Sequence, residues 1–257
     1  MNFLEVFWLS LVEGLTEFLP VSSTGHLILL SSVFGIQEDG FVKAFTIIIQ
    51  FGAILAVVAL YWRRFLPIRL EFYKRLFVAV LPAVVIGFAF KNKIDDLLDS
   101  SLLVATTFIL GGFVLIWSDK KFKDEQKNKK EIQDLTLKEC LTLGFVQCLA
   151  MIPGTSRSGA TIIGGLFLGL SRKAAAEFSF FLAVPTLTGA ALLKTIKILK
   201  TIEHDQYQFL GLGLILSFLF ALMSVKVMIG LVSKYGYKHF GFYRIILGAI
   251  IFYLALK

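Results

Sequence analysis

Charged residues are scarce in this sequence. Only 17% of its 257 residues are Asp, Glu, Lys or Arg, whereas 57% are hydrophobic, and the mean hydropathy is +0.79. Such a chain has too few polar side chains to cover the surface of a water-soluble domain. The composition therefore excludes a soluble globular protein and predicts one membrane domain that spans residues 1–257.

Cysteine and histidine are rare as well, with two and three residues. Cys140 and Cys148 lie on one predicted helix, about 12 Å apart along its axis at roughly 1.5 Å per residue, which is too far for a disulfide bond. No Cys/His cluster has the spacing of zinc ligands, so zinc is not expected. The first apolar segment contains acids and lacks a basic leader, which argues against a cleavable signal peptide.

Long apolar runs recur along the chain and predict an all-α integral membrane protein with six transmembrane helices. The six runs lie near residues 45–62, 76–90, 102–118, 174–193, 209–233 and 242–256. Two further segments, residues 3–34 and 136–170, are interrupted by the stretches FLPVSSTGH and MIPGTSRSGAT. We interpret each as a re-entrant helical hairpin, which enters and leaves the membrane at the same face.

Lysine and arginine are distributed unevenly between alternate loops. If the amino terminus lies outside, 18 of the 26 basic residues fall on the inside face and 7 on the outside face. Because basic residues accumulate in cytoplasmic loops, we predict a bacterial inner-membrane protein with both termini outside. The formal charge of +8 is explained by these loops, so nucleic acid is not an expected partner.

Three crossings separate the two hairpins, so the hairpins are expected to enter from opposite faces. The two halves, residues 1–118 and 136–257, are then inverted-topology repeats joined by a basic cytoplasmic loop at residues 119–135. Weak internal similarity supports the repeat, since Pro20 matches Pro153 at an offset of 133. Inverted repeats with interrupted helices place a ligand site at their interface.

Two acids, Glu13 and Glu17, lie one turn apart on the first helix of the first hairpin and project from the same face. A carboxylate inside an apolar segment is costly and tends to mark a functional cavity. Paired acids can hold a divalent cation, and one of them can serve as a base. The alternative is that this face of the helix simply meets water.

A polar turn follows Pro20 and opens the second helix of that hairpin. Its hydroxyls and free N–H groups predict a phosphate-binding site formed by Ser22, Ser23 and Thr24, although helix capping alone would explain one of the hydroxyls. His26 is the only histidine outside a loop and lies near the two acids. This position favours proton transfer, with a core histidine that donates to a carbonyl as the alternative.

Arg157 lies in the middle of the second hairpin, flanked on both sides by mostly apolar residues. Its side chain is too deep to extend to the membrane surface. A guanidinium group beside small hydroxyls and glycines offers the bidentate donors that a phosphate oxyanion requires. We therefore predict that Arg157 binds phosphate, together with Ser156, Ser158 and Thr161.

The two hairpins together supply the carboxylates, hydroxyls, histidine and arginine that phosphoryl transfer requires. The predicted catalytic residues are Glu13, Glu17, Ser23, His26 and Arg157. A lipid flippase or another secondary transporter is the alternative, because transporters also use inverted repeats with interrupted helices. A purely structural scaffold would leave the buried arginine unexplained.

Two long stretches resemble the signature motifs of the undecaprenyl-diphosphatase family, also known as bacitracin-resistance proteins. They are EGLTEFLPVSSTGHL at residues 13–27 and PGTSRSGAT at residues 153–161. The motifs match in order and separation, and the resemblance extends over the whole chain. The unrelated acid-phosphatase-like lipid phosphatases also use STGH and SR elements, but their lysine-arginine-proline motif is missing from this sequence.

The resemblance implies an integral-membrane phosphatase that converts undecaprenyl diphosphate to undecaprenyl phosphate for lipid-carrier recycling in cell-wall synthesis. It also implies a divalent cation, Mg²⁺ or Ca²⁺, with Glu13 and Glu17 as the candidate ligands. The expected partners are a polyprenyl diphosphate and membrane lipids, with a homodimer left open, and the active site is expected to open to the outer face. The residues that match the family's motifs are Glu13, Glu17, Ser23, His26, Ser156, Arg157 and Thr161.

Overall fold

The computed structural model of the chain describes residues 1–97, 100–122, 129–199, 201–204 and 206–256. The described residues form α-helices and two short 3₁₀ segments and contain no β-strand, which confirms the predicted all-α class. The helices are α1 (Phe3–Thr16), α2 (Ser23–Val33), α3 (Gly40–Leu60), α4 (Trp62–Phe65), α5 (Leu70–Ala89), α6 (Lys91–Leu97), α7 (Ser101–Lys121), α8 (Leu137–Cys148), α9 (Arg157–Phe167), α10 (Arg172–Ile198), α11 (Gln206–Tyr235) and α12 (Lys238–Ala255). Part of the predicted basic loop, residues 123–128, lies outside the described residues, as do Lys200 and Lys257.

Six of the described helices are long and apolar enough to cross a membrane, namely α3, α5, α7, α10, α11 and α12. Each overlaps one of the six runs expected from the sequence, so the number of candidate crossings is confirmed. The remaining long helices form two pairs, α1 with α2 and α8 with α9, at the positions of the two interrupted segments.

Local signals determine where each interrupted pair begins. α1 starts with a capping box, in which Asn2 accepts from the backbone N–H of Glu5 and the Glu5 carboxylate accepts from the N–H of Asn2. Thr136 and Glu139 form the same arrangement at the start of α8. A proline in each connecting segment cannot continue the preceding helix, so a second helix starts after each turn.

At one end of the molecule lie the start of α1 and the end of α2, which are the ends of the first pair remote from its turn. Met1, Ile36, Ile198 and Phe209 belong to one apolar cluster. The start of α1, the residues after α2, the end of α10 and the start of α11 therefore lie near one another.

At the opposite end lie the start of α8 and the end of α9, which are the ends of the second pair remote from its turn. Arg75 at the start of α5 donates to the carbonyls of Gln133 and Leu135, which precede α8. Lys130 forms a short β-bridge with Leu170, directly after α9. α10 runs between the two ends over 27 residues, which is about 40 Å at 1.5 Å per residue.

Helix positions repeat between the two halves. α1, α2, α3, α5 and α7 begin between 132 and 137 residues before α8, α9, α10, α11 and α12, respectively. The packing shows the same correspondence between the halves. α1 packs on α11, and its counterpart α8 packs on α5, which is the counterpart of α11. The corresponding helices α3 and α10 pack on each other, as do α7 and α12. These pairs support the predicted repeat.

Two basic residues lie elsewhere than predicted. The loop count assigns Lys226 and Arg244 to the inside face, but they lie within α11 and α12, and Arg244 is only 2% exposed. Arg244 can be buried within a helix because the backbone carbonyls around it accept hydrogen bonds from its guanidinium group. Without these two residues the excess is 16 against 7, so the charge bias keeps its direction.

Candidate active site

A cavity of about 180 Å³ lies where the turn between α1 and α2 meets the turn between α8 and α9. Most of the predicted site residues line it. These are Glu17, Ser22, Ser23, Thr24, Ser156 and Arg157. Residues from both halves of the chain therefore share one polar pocket.

Glu17 is the central group of this pocket. Its Oε2 accepts a hydrogen bond from Ser23 Oγ at 2.5 Å, and its Oε1 accepts one from Arg157 Nη2 at 2.7 Å. The side chains of Glu17 and Arg157 are only 5% and 10% exposed. The ion pair is thus shielded from water, where its electrostatic interaction is stronger than on a surface.

Residues of α10 hold the Arg157 side chain in place through hydrogen bonds. Its Nη1 donates to the carbonyl of Ser179 at 2.8 Å, and Thr161 Oγ1 lies 2.7 Å from the Ser179 hydroxyl. The hydroxyl of Ser158 donates to the carbonyl of Leu19 at 2.7 Å. Ser158 and Thr161 do not line the cavity, so their positions suit holding the arginine and the two turns rather than contacting phosphate.

Glu13 lies behind the cavity wall. It is fully buried and is not one of the lining residues. Within the described part of the chain, neither of its carboxylate oxygens has a hydrogen-bond partner. A buried carboxyl that lacks a donor suits a bound cation or a proton.

His26 also lies off the cavity wall. Its Nδ1 is 2.7 Å from the carbonyl oxygen of Ser22, and its Nε2 is 2.6 Å from the hydroxyl of Tyr243. A carbonyl can only accept, so Nδ1 carries the hydrogen and, in the neutral ring, Nε2 accepts from the tyrosine. Both ring nitrogens are therefore engaged away from the cavity.

The backbone of Ser22 is strained. Its φ of +68° is the only positive φ of a non-glycine residue in the described ranges, and such a conformation costs about 1–3 kcal/mol. Ser22 is also the N-cap of α2, and its hydroxyl lies 3.5 Å from the N–H of Gly25. Ser156 caps α9 in the same way, with an ordinary φ of −66°.

Several polar residues of the pocket were not predicted from the sequence. Gln50, Gln147 and Thr186 line the cavity opposite the first turn. The available signal was a single amide within an otherwise apolar run, as in IIIQFG and GFVQCLA. Arg244 was missed as well, although it donates to the carbonyls of both turns, Pro20 and Gly154.

An apolar groove of about 500 Å³ adjoins the polar cavity. It runs between α7, α8 and α9, and its walls include Leu110, Val146 and Phe167. Thr155 and Ser156 line both the groove and the cavity. A polar volume and an apolar volume thus meet at the start of α9.

These features define a multi-pass, all-helical membrane protein whose two halves share a buried carboxylate, serine and arginine. Comparison with known proteins identifies the group more narrowly. The chain belongs to the family described as bacitracin resistance protein BacA, whose sequence model matches residues 6–250. The resemblance inferred from the two motifs is therefore confirmed.

Curated relatives cover almost the whole chain. It is 52% identical over 254 residues to the undecaprenyl-diphosphatase of Bdellovibrio bacteriovorus, which covers 99% of this chain and 96% of that protein. The undecaprenyl-diphosphatase of Flavobacterium psychrophilum is 48% identical, with coverages of 98% and 95%. That of Wolinella succinogenes is 46% identical over the full length of both chains.

Proposed function

We propose that this chain is an integral-membrane phosphatase that hydrolyses undecaprenyl diphosphate to undecaprenyl phosphate and inorganic phosphate, so that the lipid carrier of cell-wall synthesis is recycled. Membership of the family and the activity named for the relatives support this function. The observation that carries it is the contact of one carboxylate, Glu17, with both Ser23 and Arg157 in a water-shielded cavity.

Substrate binding exchanges the partners of Arg157. A terminal phosphate offers the guanidinium group more negative charge than a single carboxylate, and in bidentate geometry. When the phosphate draws Arg157 away, Glu17 loses its ion-pair partner. The carboxylate that already accepts from Ser23 is then ready to take the proton of the attacking group.

The attacking group is the Ser23 hydroxyl or a water molecule. In the first case, Ser23 Oγ bonds to the terminal phosphorus while the bond to the bridging oxygen breaks, and water later releases the phosphate from the serine. In the second case, Glu17 deprotonates the water directly. Labelled phosphate trapped on Ser23 supports the covalent route, whereas persistent turnover in Ser23→Ala without a trapped species supports direct attack.

A divalent cation, Mg²⁺ or Ca²⁺, fits the residues present. Glu13 has unpartnered buried oxygens, and Glu17 lies one turn away on the cavity wall. Among the described residues no group of three or more His, Cys, Asp or Glu side chains is positioned for a metal, which suits a cation completed by substrate phosphates and water. When bound, the cation would neutralise the negative charge of the diphosphate.

The membrane arrangement is part of the proposal. We infer that each helix pair is a re-entrant hairpin, that the halves are inverted repeats, and that both termini lie outside the inner membrane with the cavity opening to that face. The outer ends of the α1–α2 pair lie at one end of the molecule, and those of the α8–α9 pair lie at the opposite end. This placement and the bias of basic residues support the arrangement.

The prenyl chain is proposed to lie in the apolar groove beside α9, because the groove meets the cavity at Thr155 and Ser156. Ala160 lines this groove. Ala160→Trp should therefore raise KM for a long-chain diphosphate. Val85→Trp, at an exposed position on α5, is the matched control, and equal effects of the two variants would disprove the assignment.

The central experiment measures phosphate release from a long polyprenyl diphosphate by detergent-purified protein, with and without a chelator. Glu17→Gln and Arg157→Ala should each reduce turnover by at least about 100-fold. Because detergent micelles provide no second compartment, phosphate release also distinguishes hydrolysis from lipid transport, which the comparisons do not favour. Unchanged activity in both variants would defeat the assignment of the site.

A further inference from the structure

His26 belongs to a short chain of hydrogen bonds that ends at the backbone beside Ser23. Tyr243 of α12 contacts Nε2 at 2.6 Å, and Nδ1 contacts the Ser22 carbonyl at 2.7 Å. The rings of His26 and Tyr243 are nearly parallel, with an interplanar angle of 3°. The ring of Phe108 packs against the histidine at 5.5 Å. The imidazole is therefore fixed in position and in orientation.

The surroundings of His26 do not suit proton transfer to the substrate. Neither His26 nor Tyr243 lines the cavity that contains Glu17 and Ser23. Arg244, which follows Tyr243 on α12, is bound to the Pro20 carbonyl through its guanidinium group. The leaving group of the proposed reaction is itself a phosphate, whose anion is stable at neutral pH, so its departure needs no proton from a histidine.

The residue that His26 holds is the strained one. Ser22 has a φ of +68° and is followed directly by Ser23, whose hydroxyl must point at Glu17. Its carbonyl direction is determined by this unusual conformation, and the Nδ1–H of His26 binds that carbonyl. The one positive φ of a non-glycine residue in the described ranges thus belongs to the residue before the predicted nucleophile.

We propose that His26 and Tyr243 are positioning residues, which hold the Ser22 backbone so that the Ser23 hydroxyl stays on Glu17. The inference rests on the proposed phosphatase function but assigns His26 a different role from the proton transfer predicted from the sequence. It also adds Tyr243, which lies outside both sequence motifs. The role requires a donor at the place of Nδ1 and does not require a group that titrates.

Two amide substitutions separate the roles. In His26→Asn the amide nitrogen replaces Nδ1 and can still donate to the Ser22 carbonyl, whereas in His26→Gln it replaces Nε2 and can reach only Tyr243. Positioning predicts that the Asn variant keeps kcat within a few-fold of wild type and that the Gln variant loses about tenfold or more. The limbs of the pH–kcat profile should stay in place in both variants.

Tyr243→Phe provides an independent test, because Tyr243 is 45% exposed and its replacement should leave the fold intact. We expect kcat to fall several-fold with little change in KM or in thermal unfolding. Tyr207→Phe, at an exposed position on α11, is the control and should behave as wild type.

The outcomes separate this inference from the proposed function. If wild-type protein releases no phosphate, the proposed function fails. If wild type is active but Asn and Gln at position 26 lower kcat equally and a limb of the pH profile is lost, His26 transfers a proton and the positioning role is wrong. Wild-type kcat in Tyr243→Phe would remove the tyrosine from the mechanism.

Discussion

The Arg157 side chain combines a charge with a fixed geometry. One nitrogen holds Glu17 and another holds the Ser179 carbonyl, so the guanidinium plane spans α1 and α10. A lysine ammonium carries the same charge but lacks the planar fork that can bind a backbone carbonyl and a phosphate together. Charge alone is therefore insufficient at this position.

Arg157→Lys should lower kcat/KM for the long-chain diphosphate by about 100-fold, because the positioned donors to the transferring phosphate are lost. Phosphate release measures the effect. Arg172→Lys is the matched control, since Arg172 forms a similarly shielded ion pair with Asp119. The two side chains are 2.7 Å apart, and the pair lies away from the cavity. Equal losses in the two variants would show that the effect comes from general destabilisation.

At the residue level, the sequence signal that leads to the cavity is a polar group surrounded by apolar sequence. Glu17 and Arg157 stand out for this reason, and both line the cavity. Glu13 and His26 give the same signal but lie behind the wall, because helical spacing does not reveal which side of a turn the cavity occupies. Tyr243 could not be predicted, since its partner is 217 positions away in the chain.

At the scale of elements, α12 connects the two turns. Arg244 donates to the carbonyl of Pro20 at 3.2 Å and to that of Gly154 at 2.9 Å. It also donates to carbonyls of Thr107 and Phe108 on α7. A helix near the carboxyl end of the chain therefore determines how the turns of both halves face each other.

Arg244→Met should lower the unfolding temperature in detergent and reduce activity, because several buried carbonyls lose their donor at about 1–3 kcal/mol each. Scanning fluorimetry and phosphate release measure the two effects. Lys238→Met, at an exposed position on the same helix, should change neither. An Arg244→Met protein with wild-type stability would show that water or neighbouring groups satisfy these carbonyls.

The start of α8 is stabilised by an acid. The hydrogen bond from Lys130 to Glu139, at 2.6 Å, lowers the pKa of the Glu139 carboxyl from 4.5 to about 2, and the capping contacts of Thr136 add to the effect. A lowered folded-state pKa means that the stabilisation is present above pH 4.5 and is lost as the pH falls towards 2. Lys130 is partly exposed, so the contribution is at most about 1 kcal/mol.

Glu139→Gln should therefore remove part of the fall in thermal stability between pH 4.5 and 2 and change little at pH 7 beyond that small contribution. Unfolding temperatures across this pH range test it. Glu71→Gln, which breaks an exposed pair with Lys74, is the comparison variant. A pH dependence identical to wild type would show that other carboxyls dominate the acid response.

Element-level prediction was accurate for the crossings because apolar length is a strong signal. The predicted run at 102–118 falls inside α7, and the run at 174–193 falls inside α10. The short helices α4 and α6 were not predicted, since four and seven residues carry too little pattern.

At the scale of the whole molecule, the two ends should face opposite sides of the membrane. In a variant with both native cysteines replaced by serine, Glu38→Cys should react with a membrane-impermeant maleimide in intact cells. Glu131→Cys, which lies at the opposite end, should react only after the membrane is permeabilised. The reverse pattern would invert the proposed topology, and labelling of both positions in intact cells would refute opposite ends.

The proposed repeat is only weakly visible in the sequence, and helix order and packing support it more strongly. Few side chains recur at the offset of 133, because each half contributes different groups to the pocket. Helix starts nevertheless recur between 132 and 137 residues apart, since packing constrains helix length more than residue identity. The caps of α2 and α9, Ser22 and Ser156, match at an offset of 134.

The ion pair between Glu17 and Arg157 also has a consequence for biosynthesis. The two residues are 140 positions apart, so the ribosome adds Arg157 long after it has added Glu17. At elongation rates of roughly 5–20 residues per second, the first half of the chain exists for at least several seconds before Arg157 is made. During this time the Glu17 carboxyl lacks its ion-pair partner. Prematurely terminated chains of the first half should therefore be inactive and prone to clearance by membrane proteases.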